Sequence, residues 1–333
     1  MFNSMIPGAN TRLKSNGFRH RITDLLLGNI VWIMLIGFVF AIGVIAPQFL
    51  TFNILKNVVV QASVIGVLAI GVSFTLLIGE IDLSATGNMA VSSLIGAILM
   101  TRYDFPWYLA IPAVIAIAVC IGAINGILVA KLKVLALMET LALNMVLQGV
   151  MVYATHGAAV TGLPKAYKFL GQGKIGGIEL MPIIFLIIYL LISVLWKRTV
   201  VGRRIFAVGG NKHAANVSGI RVDATYIIVF MICGFFAGIA GVLLSGYTGA
   251  VTSSFGEEYM LTAIAASVIG GVSLLGGQGK VSGVLGGVLL LSVVKVGLQI
   301  AGIDAYIISM VEGILVFAAV LVDSLRLKYQ SRL

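Results

Sequence analysis

Gly202-Arg203-Arg204-Ile205-Phe206-Ala207-Val208-Gly209-Gly210-Asn211-Lys212-His213-Ala214-Ala215-Asn216-Val217-Ser218-Gly219-Ile220 is a polar, basic, glycine-punctuated stretch in a chain that is otherwise almost all apolar run. A segment of this length between apolar spans has to face water, and its basic charge indicates on which side of a membrane. Within it, Lys212 to Ser218 has helix-compatible composition between Gly210 and Gly219. That composition predicts a short helix lying along the membrane surface.

The rest of the chain sets the context. Of 333 residues, 60% are hydrophobic and 10% charged, against about 25% charged in a soluble domain. Too few polar side chains exist to cover a water-facing surface, so the fold class is an all-α polytopic membrane protein. Continuous apolar runs, rather than the alternation of a lipid-facing strand, favour helices over a barrel. Forty glycines fit close helix packing and broken helices in lipid. Cys120 and Cys233 both lie in apolar runs, where they read as small buried packing residues rather than a disulfide or metal pair.

A span needs about 20 mostly apolar residues. Ten candidates appear, at 30–47, 54–78, 86–101, 107–130, 134–155, 180–196, 225–247, 258–275, 281–301 and 305–323. Residues 1–29 are polar and basic, with no cleavage site, and read as a cytoplasmic tail. Residues 30–323 form the transmembrane domain and 324–333 a second cytoplasmic tail. With the N-terminus inside, the inner segments hold sixteen Lys and Arg and the outer loops four. This positive-inside bias places both termini and the 197–223 loop in the cytoplasm. The net charge of +10 is therefore spent on topology and anionic lipid, not nucleic acid.

Two glycine-rich breaks interrupt the apolar runs, Gly79 to Gly87 and Gly270 to Lys280. Broken helices of this kind line substrate routes, because freed backbone groups need a partner; tight turns between helices are the other reading. Polar residues within spans are functional suspects. Thr140, Asn144 and Gln148 recur every fourth residue on one helix face. With Asp82, Ser84, Asn125, Gly270, Gly271 and Gln299 they form the candidate translocation path; interhelical hydrogen bonding is the plainer alternative. Lys295 and Glu312, in the last two spans, form a candidate neutralising pair. No P-loop occurs, nor a Ser–His pair at depth, an HExxH or a CxxC. The chain is expected to be neither an enzyme nor an ATP binder, with no cofactor or metal of its own.

The residues resemble one family, the permease subunits of bacterial carbohydrate ABC importers of the ribose, arabinose and xylose type. The likeness covers roughly residues 25–325. It is carried by Ile81-Asp82-Leu83-Ser84, by Asn125-Gly126 with Val129-Ala130-Lys131, by Gly202-Arg203 through Gly209-Gly210-Asn211 to Ser218-Gly219-Ile220, and by Ala263 to Gly271 with Ser273-Leu274 and Gly276-Gly277. The resemblance implies a multi-pass protein of the bacterial inner membrane. It also implies a second permease copy or paralogue, an ATPase subunit carrying ATP and Mg on the cytoplasmic side, and an extracytoplasmic sugar-binding protein. It places the ATPase-coupling segment on Gly202, Arg203, Arg204, Gly209, Gly210, Asn211, Ala214, Ser218 and Gly219.

The sequence departs from the family pattern at Ala85-Thr86-Gly87, at Tyr259-Met260-Leu261-Thr262, and at Val134 to Leu137, where a proline is usual; Glu139 is also unusual there. These departures bear on the cargo, for which a polyol, an amino acid or a nucleoside are the alternatives to a sugar. An ion-coupled secondary transporter using Asp82, Glu139 or Glu312 is the rival from another class, and a membrane scaffold a third.

Overall fold

The computed structural model describes residues 30–330. The expected tail at 1–29 and the last three residues of the tail at 324–333 lie outside the described residues. Thirteen α-helices are present among them: α1 (Ile30–Ile45), α2 (Phe52–Leu77), α3 (Ala85–Arg102), α4 (Trp107–Lys131), α5 (Ala136–Thr155), α6 (Lys165–Gln172), α7 (Leu180–Arg198), α8 (Val200–Gly210), α9 (Lys212–Val217), α10 (Val222–Thr248), α11 (Tyr259–Ile269), α12 (Val281–Ile300) and α13 (Ala305–Gln330). With hydrocarbon outside, helices satisfy their backbone groups internally, which explains their dominance.

Six of them, α2, α4, α5, α7, α10 and α12, are long and apolar enough to cross a membrane. The other four expected spans fall short individually. α1 has 16 residues, and α3 carries many small polar side chains over its 18 residues. α11 stops after 11, because Gly270 and Gly271 end the helix while the apolar run continues. In α13 the apolar part is Ala305–Ala318.

Burial orders these helices. Of the apolar window in α2, 89% is buried, against 22% in α7, so α2 is the central post and α7 a peripheral one. α4 and α10 pack closest, through small residues at four-residue spacing on both. A Cβ at Gly122 would overlap the Phe230 carbonyl, and one at Gly234 the Ala118 carbonyl. Gly126 and Gly238 continue the two rows. This is close approach of backbones by small residues, the usual helix glue in lipid. The two cysteines part company here: Cys233 is buried on α10, but Cys120 is exposed on α4, which corrects the expectation that both pack inside.

The end where α10 terminates is capped. β1 (Val160–Thr161) pairs antiparallel with β4 (Ala250–Val251), and β2 (Lys174–Ile175) turns through Gly176 and Gly177 into β3 (Ile178–Glu179). Both glycines have positive φ, as a two-residue hairpin requires. α6 lies over this end, with Tyr167 hydrogen-bonded to Ser245 at 2.7 Å. Ser245 gives its own proton to the Gly241 carbonyl, so the phenol is the donor. Burial pushes the Tyr167 phenol up to about 12, so it stays protonated and able to donate. The stretch between α5 and α7, rich in Gly and Lys, is thus an ordered cover.

Candidate functional site

At the opposite end, where α10 begins, the opening stretch folds into two helices rather than one. Thr199 caps α8, its hydroxyl accepting from Gly202 N at 3.1 Å. Asn211 separates the helices and caps α9, its Oδ1 accepting from Ala214 N at 2.9 Å. Gly219, at φ +81°, ends α9. Gly219 N donates to Asn216 O and Ile220 N to Ala215 O, each at 3.0 Å, the pairing of a glycine-terminated helix. Capped at both ends, this six-residue helix buries Ala215 and exposes Lys212, His213, Ala214, Asn216 and Val217.

Gly202, Arg203 and Arg204 lie on α8. Gly202 sits on the Leu195 and Trp196 carbonyls, and the two arginines are exposed. Trp196 lies between Phe74 of α2, tilted at 4.9 Å, and Phe206 of α8, edge-on at 6.0 Å, fixing α8 against the central post.

The two breaks meet beneath α8. Gly277 N donates to Leu77 O at 2.8 Å. A Cβ on Gly209 would overlap the Leu77 carbonyl, and one on Gly277 would stand 2.7 Å from Gly210 Cα. Gly276 and Gly277 both have positive φ. Backbone touches backbone at three places here, on the end of α2, the end of α8 and the 270–280 turn, and only glycine leaves room for that.

The first break, Ile78 to Ser84, is held by side chains. Asp82 Oδ1 accepts from Ser84 N at 2.9 Å and from Ser84 Oγ at 2.6 Å. Asn125 Nδ2 donates to Ser84 Oγ at 2.7 Å. Thr140 Oγ1 accepts from Leu83 N at 3.1 Å. Asn144 Oδ1 accepts from Gly87 N at 3.1 Å, serving from α5 one of the unpaired first-turn amides of α3. All five of these side chains are buried.

The structure therefore gathers Asp82, Ser84, Asn125, Thr140 and Asn144 into one cluster. Gln148 is half-buried further along α5. Gly270 packs on the Gly283 backbone where α12 starts, next to Gly271 with its positive φ. Gln299 is exposed near the far end of α12. These four stand outside the cluster. Lys295 pairs with Glu258 rather than Glu312.

Sequence reasoning did not find Asn88, whose Nδ2 donates to Ala118 O at 2.9 Å. Nor did it find the contact of Glu80 with Lys212 and Tyr226. Their partners lie far along the chain and leave no local pattern. Three buried acceptors near the cluster, Asn88 Oδ1, Asn125 Oδ1 and Glu139 Oε2, have no protein donor.

Partial burial pulls the Lys212 ammonium down, but hydrogen bonds to Tyr226 and Glu80 outweigh it, so it stays above the usual lysine value. It is a full cation at neutral pH. Among the described residues no group of three or more His, Cys, Asp or Glu could hold a metal ion.

Residues 54–320 match the family model described as the permease component of the branched-chain amino acid transport system. The chain is 33% identical over 316 residues to the ribose import permease protein of Haemophilus influenzae, covering 94% of this chain and 98% of that one. It is 36% identical over 288 residues to the ribose import permease protein of Bacillus subtilis, covering 86% and 89%. To the galactose/methyl galactoside import permease protein of Escherichia coli it is 34% identical over 298 residues, covering 84% and 89%.

Proposed function

The chain belongs to the family described as the permease component of the branched-chain amino acid transport system, and from that premise we propose that it forms the translocation path of a sugar ABC importer. It is a multi-pass inner-membrane transport subunit and not an enzyme. Its relatives import ribose and galactose, which favours a small neutral sugar over the amino acids in the family's description. Energy comes from a separate ATPase subunit that carries ATP and Mg, and cargo from an extracytoplasmic binding protein. Two permease copies or paralogues make the pore, in a bilayer whose anionic lipids meet the basic inner loops. About ten spans, with both termini cytoplasmic, complete the topology.

The observation that carries this reading is the pair α8 and α9: α8 stands on the meeting point of both breaks, and the capped, exposed helix α9 follows directly on it. A rigid, exposed, water-facing helix suits docking, and the breaks suit a path. The coupling residues are Gly202, Arg203, Arg204, Gly209, Gly210, Asn211, Ala214, Ser218 and Gly219. Ser84, Asn125, Thr140 and Asn144 tie the first break in place beside the path. The donor-less acceptors at Asn88, Asn125 and Glu139 suit a cargo that brings hydroxyl donors. Gln148, Gly270, Gly271 and Gln299 line the path further along.

Reconstitution with the ATPase and binding protein tests this. Uptake of labelled ribose or galactose is expected to require ATP and to survive collapse of ion gradients. Uptake that follows the gradient instead transfers the role to an ion-coupled carrier using Asp82, Glu139 or Glu312. Ala214→Arg, on the exposed face of α9, is expected to lower the copurified ATPase at least about ten-fold with insertion intact. Undiminished copurification would remove α9 from the interface.

A further inference from the structure

Glu80 follows directly on Gly79, the positive-φ residue that ends α2. Its backbone N still donates to Thr75 O at 3.0 Å, so the residue is anchored to the central post. Its side chain reaches the other way. A single oxygen, Oε1, accepts from Lys212 Nζ at 3.0 Å and from the Tyr226 hydroxyl at 3.1 Å. Lys212 is the first residue of α9, and its Nζ lies 4.9 Å from the centre of the Tyr226 ring. Tyr226 belongs to the first turns of α10. One carboxylate thus joins the surface helix, the central post and the helix that follows the surface loop.

Two residues beyond Glu80, Asp82 enters the buried clasp, and the next residue, Leu83, is held by Thr140. The path from α9 to the clasp is therefore Lys212, Glu80, Ile81, Asp82, with one side-chain contact and a short piece of non-helical backbone. The other route from the surface loop, Gly209 onto Leu77 and Gly277, is backbone against backbone and has no slack. The two routes differ in kind. Close-packed backbone moves as one body. An ion pair between side chains that are 54% and 17% exposed can part and re-form. A cavity of about 260 Å³ opens beside it, lined by Glu80, Val129, Lys133, Leu135, Lys212 and Tyr226, which leaves the carboxylate and the ammonium room to separate.

We propose that Glu80 is the positioning residue through which α9 grips the first break. It forms a releasable latch with Lys212 and Tyr226 that ties movement of the surface helix to the Asp82 clasp. This rests on the docking role of α9 given above. The latch adds little to stability, since half-exposed pairs are screened. Its effect lies in coupling, where interaction between two sites changes their equilibria about 5- to 150-fold.

The test uses the whole transporter in proteoliposomes and reads ATP hydrolysed per sugar moved, with copurification of the ATPase read in parallel. Glu80→Lys and Lys212→Glu are each expected to raise the ATP-to-sugar ratio at least about five-fold. The double exchange, which restores an opposite pair at the same place, is expected to return it to within about two-fold of the parent. Glu80→Gln keeps the volume and the bond from Tyr226 but removes the charge, and serves if a reversed charge prevents folding; it too is expected to raise the ratio. Unchanged ratios in the single variants overturn the latch. So do raised ratios that the double exchange does not rescue, because a structural lesion gives that result. No ATP-driven uptake by the parent protein overturns the docking reading and the latch with it. Normal uptake with unaltered ratios overturns the latch alone.

Discussion

At Ile78–Ser84 the chain leaves its helix into a clasp of side chains, whereas at Gly270–Lys280 it leaves into contact with other backbone. In the first, the Asp82 carboxylate of the break itself and the Thr140 hydroxyl and Asn144 amide oxygen of α5 take up the amides of Ser84, Leu83 and Gly87, while Asn125 of α4 donates to the Ser84 hydroxyl. In the second, Gly270 lies on Gly283, and Gly276 and Gly277 lie on Leu77, Gly79, Gly209 and Gly210. Both meet the same demand, that buried polar backbone find a partner. They differ in tolerance. A side-chain clasp loses one or two bonds per substitution, while a glycine contact has no space for any side chain.

That contrast orders three substitutions. Gly277→Val is expected to be the most damaging, because it puts a β-branched side chain at φ +73° and within 2.7 Å of Gly210 Cα. Strain and overpacking together cost about 2–5 kcal/mol. Thermal melting of the purified protein, followed by size-exclusion recovery, would show it; melting close to the parent would mean the contact is slack. Asn144→Leu comes next. It leaves the Gly87 amide buried without an acceptor, a cost of about 1–3 kcal/mol. The same melting assay applies, and a loss equal to that of Gly277→Val would erase the distinction between the breaks. Gly210→Ala is the control within the glycine set. Nothing lies within 4 Å of where its Cβ would stand, so stability is expected within about 0.5 kcal/mol of the parent. A larger loss would show that the junction reads backbone freedom at Gly210 and not space alone.

Much of this was legible in the residues. Glycine runs marked both breaks, and the flanking glycines and small residues marked the helix at Lys212–Val217. α8 was not legible, because Gly202, Gly209 and Gly210 read as loop residues. Two of them are there for contact: Gly202 lies on the Leu195 and Trp196 carbonyls, and Gly209 on Leu77. Helix propensity counts a glycine only as a weakness, so its packing use was invisible. The length of α11 was hidden for the opposite reason. Val272, Leu274 and Leu275 continue the apolar run after the helix has stopped. The stripe of Thr140 and Asn144 was visible, but its use was not. Which backbone amides it serves depends on a segment about sixty residues earlier.

The cover at the far end has a consequence in time. Tyr167 waits for Ser245, 78 residues further along, and β1 waits for β4. At about 5–20 residues per second, the ribosome takes roughly 4–16 s to make the intervening chain. For that interval the phenol of α6 has no Ser245 to meet and the strand no mate. The segment that seals one face of the finished protein is thus among its earlier-made parts and among its later-settled ones.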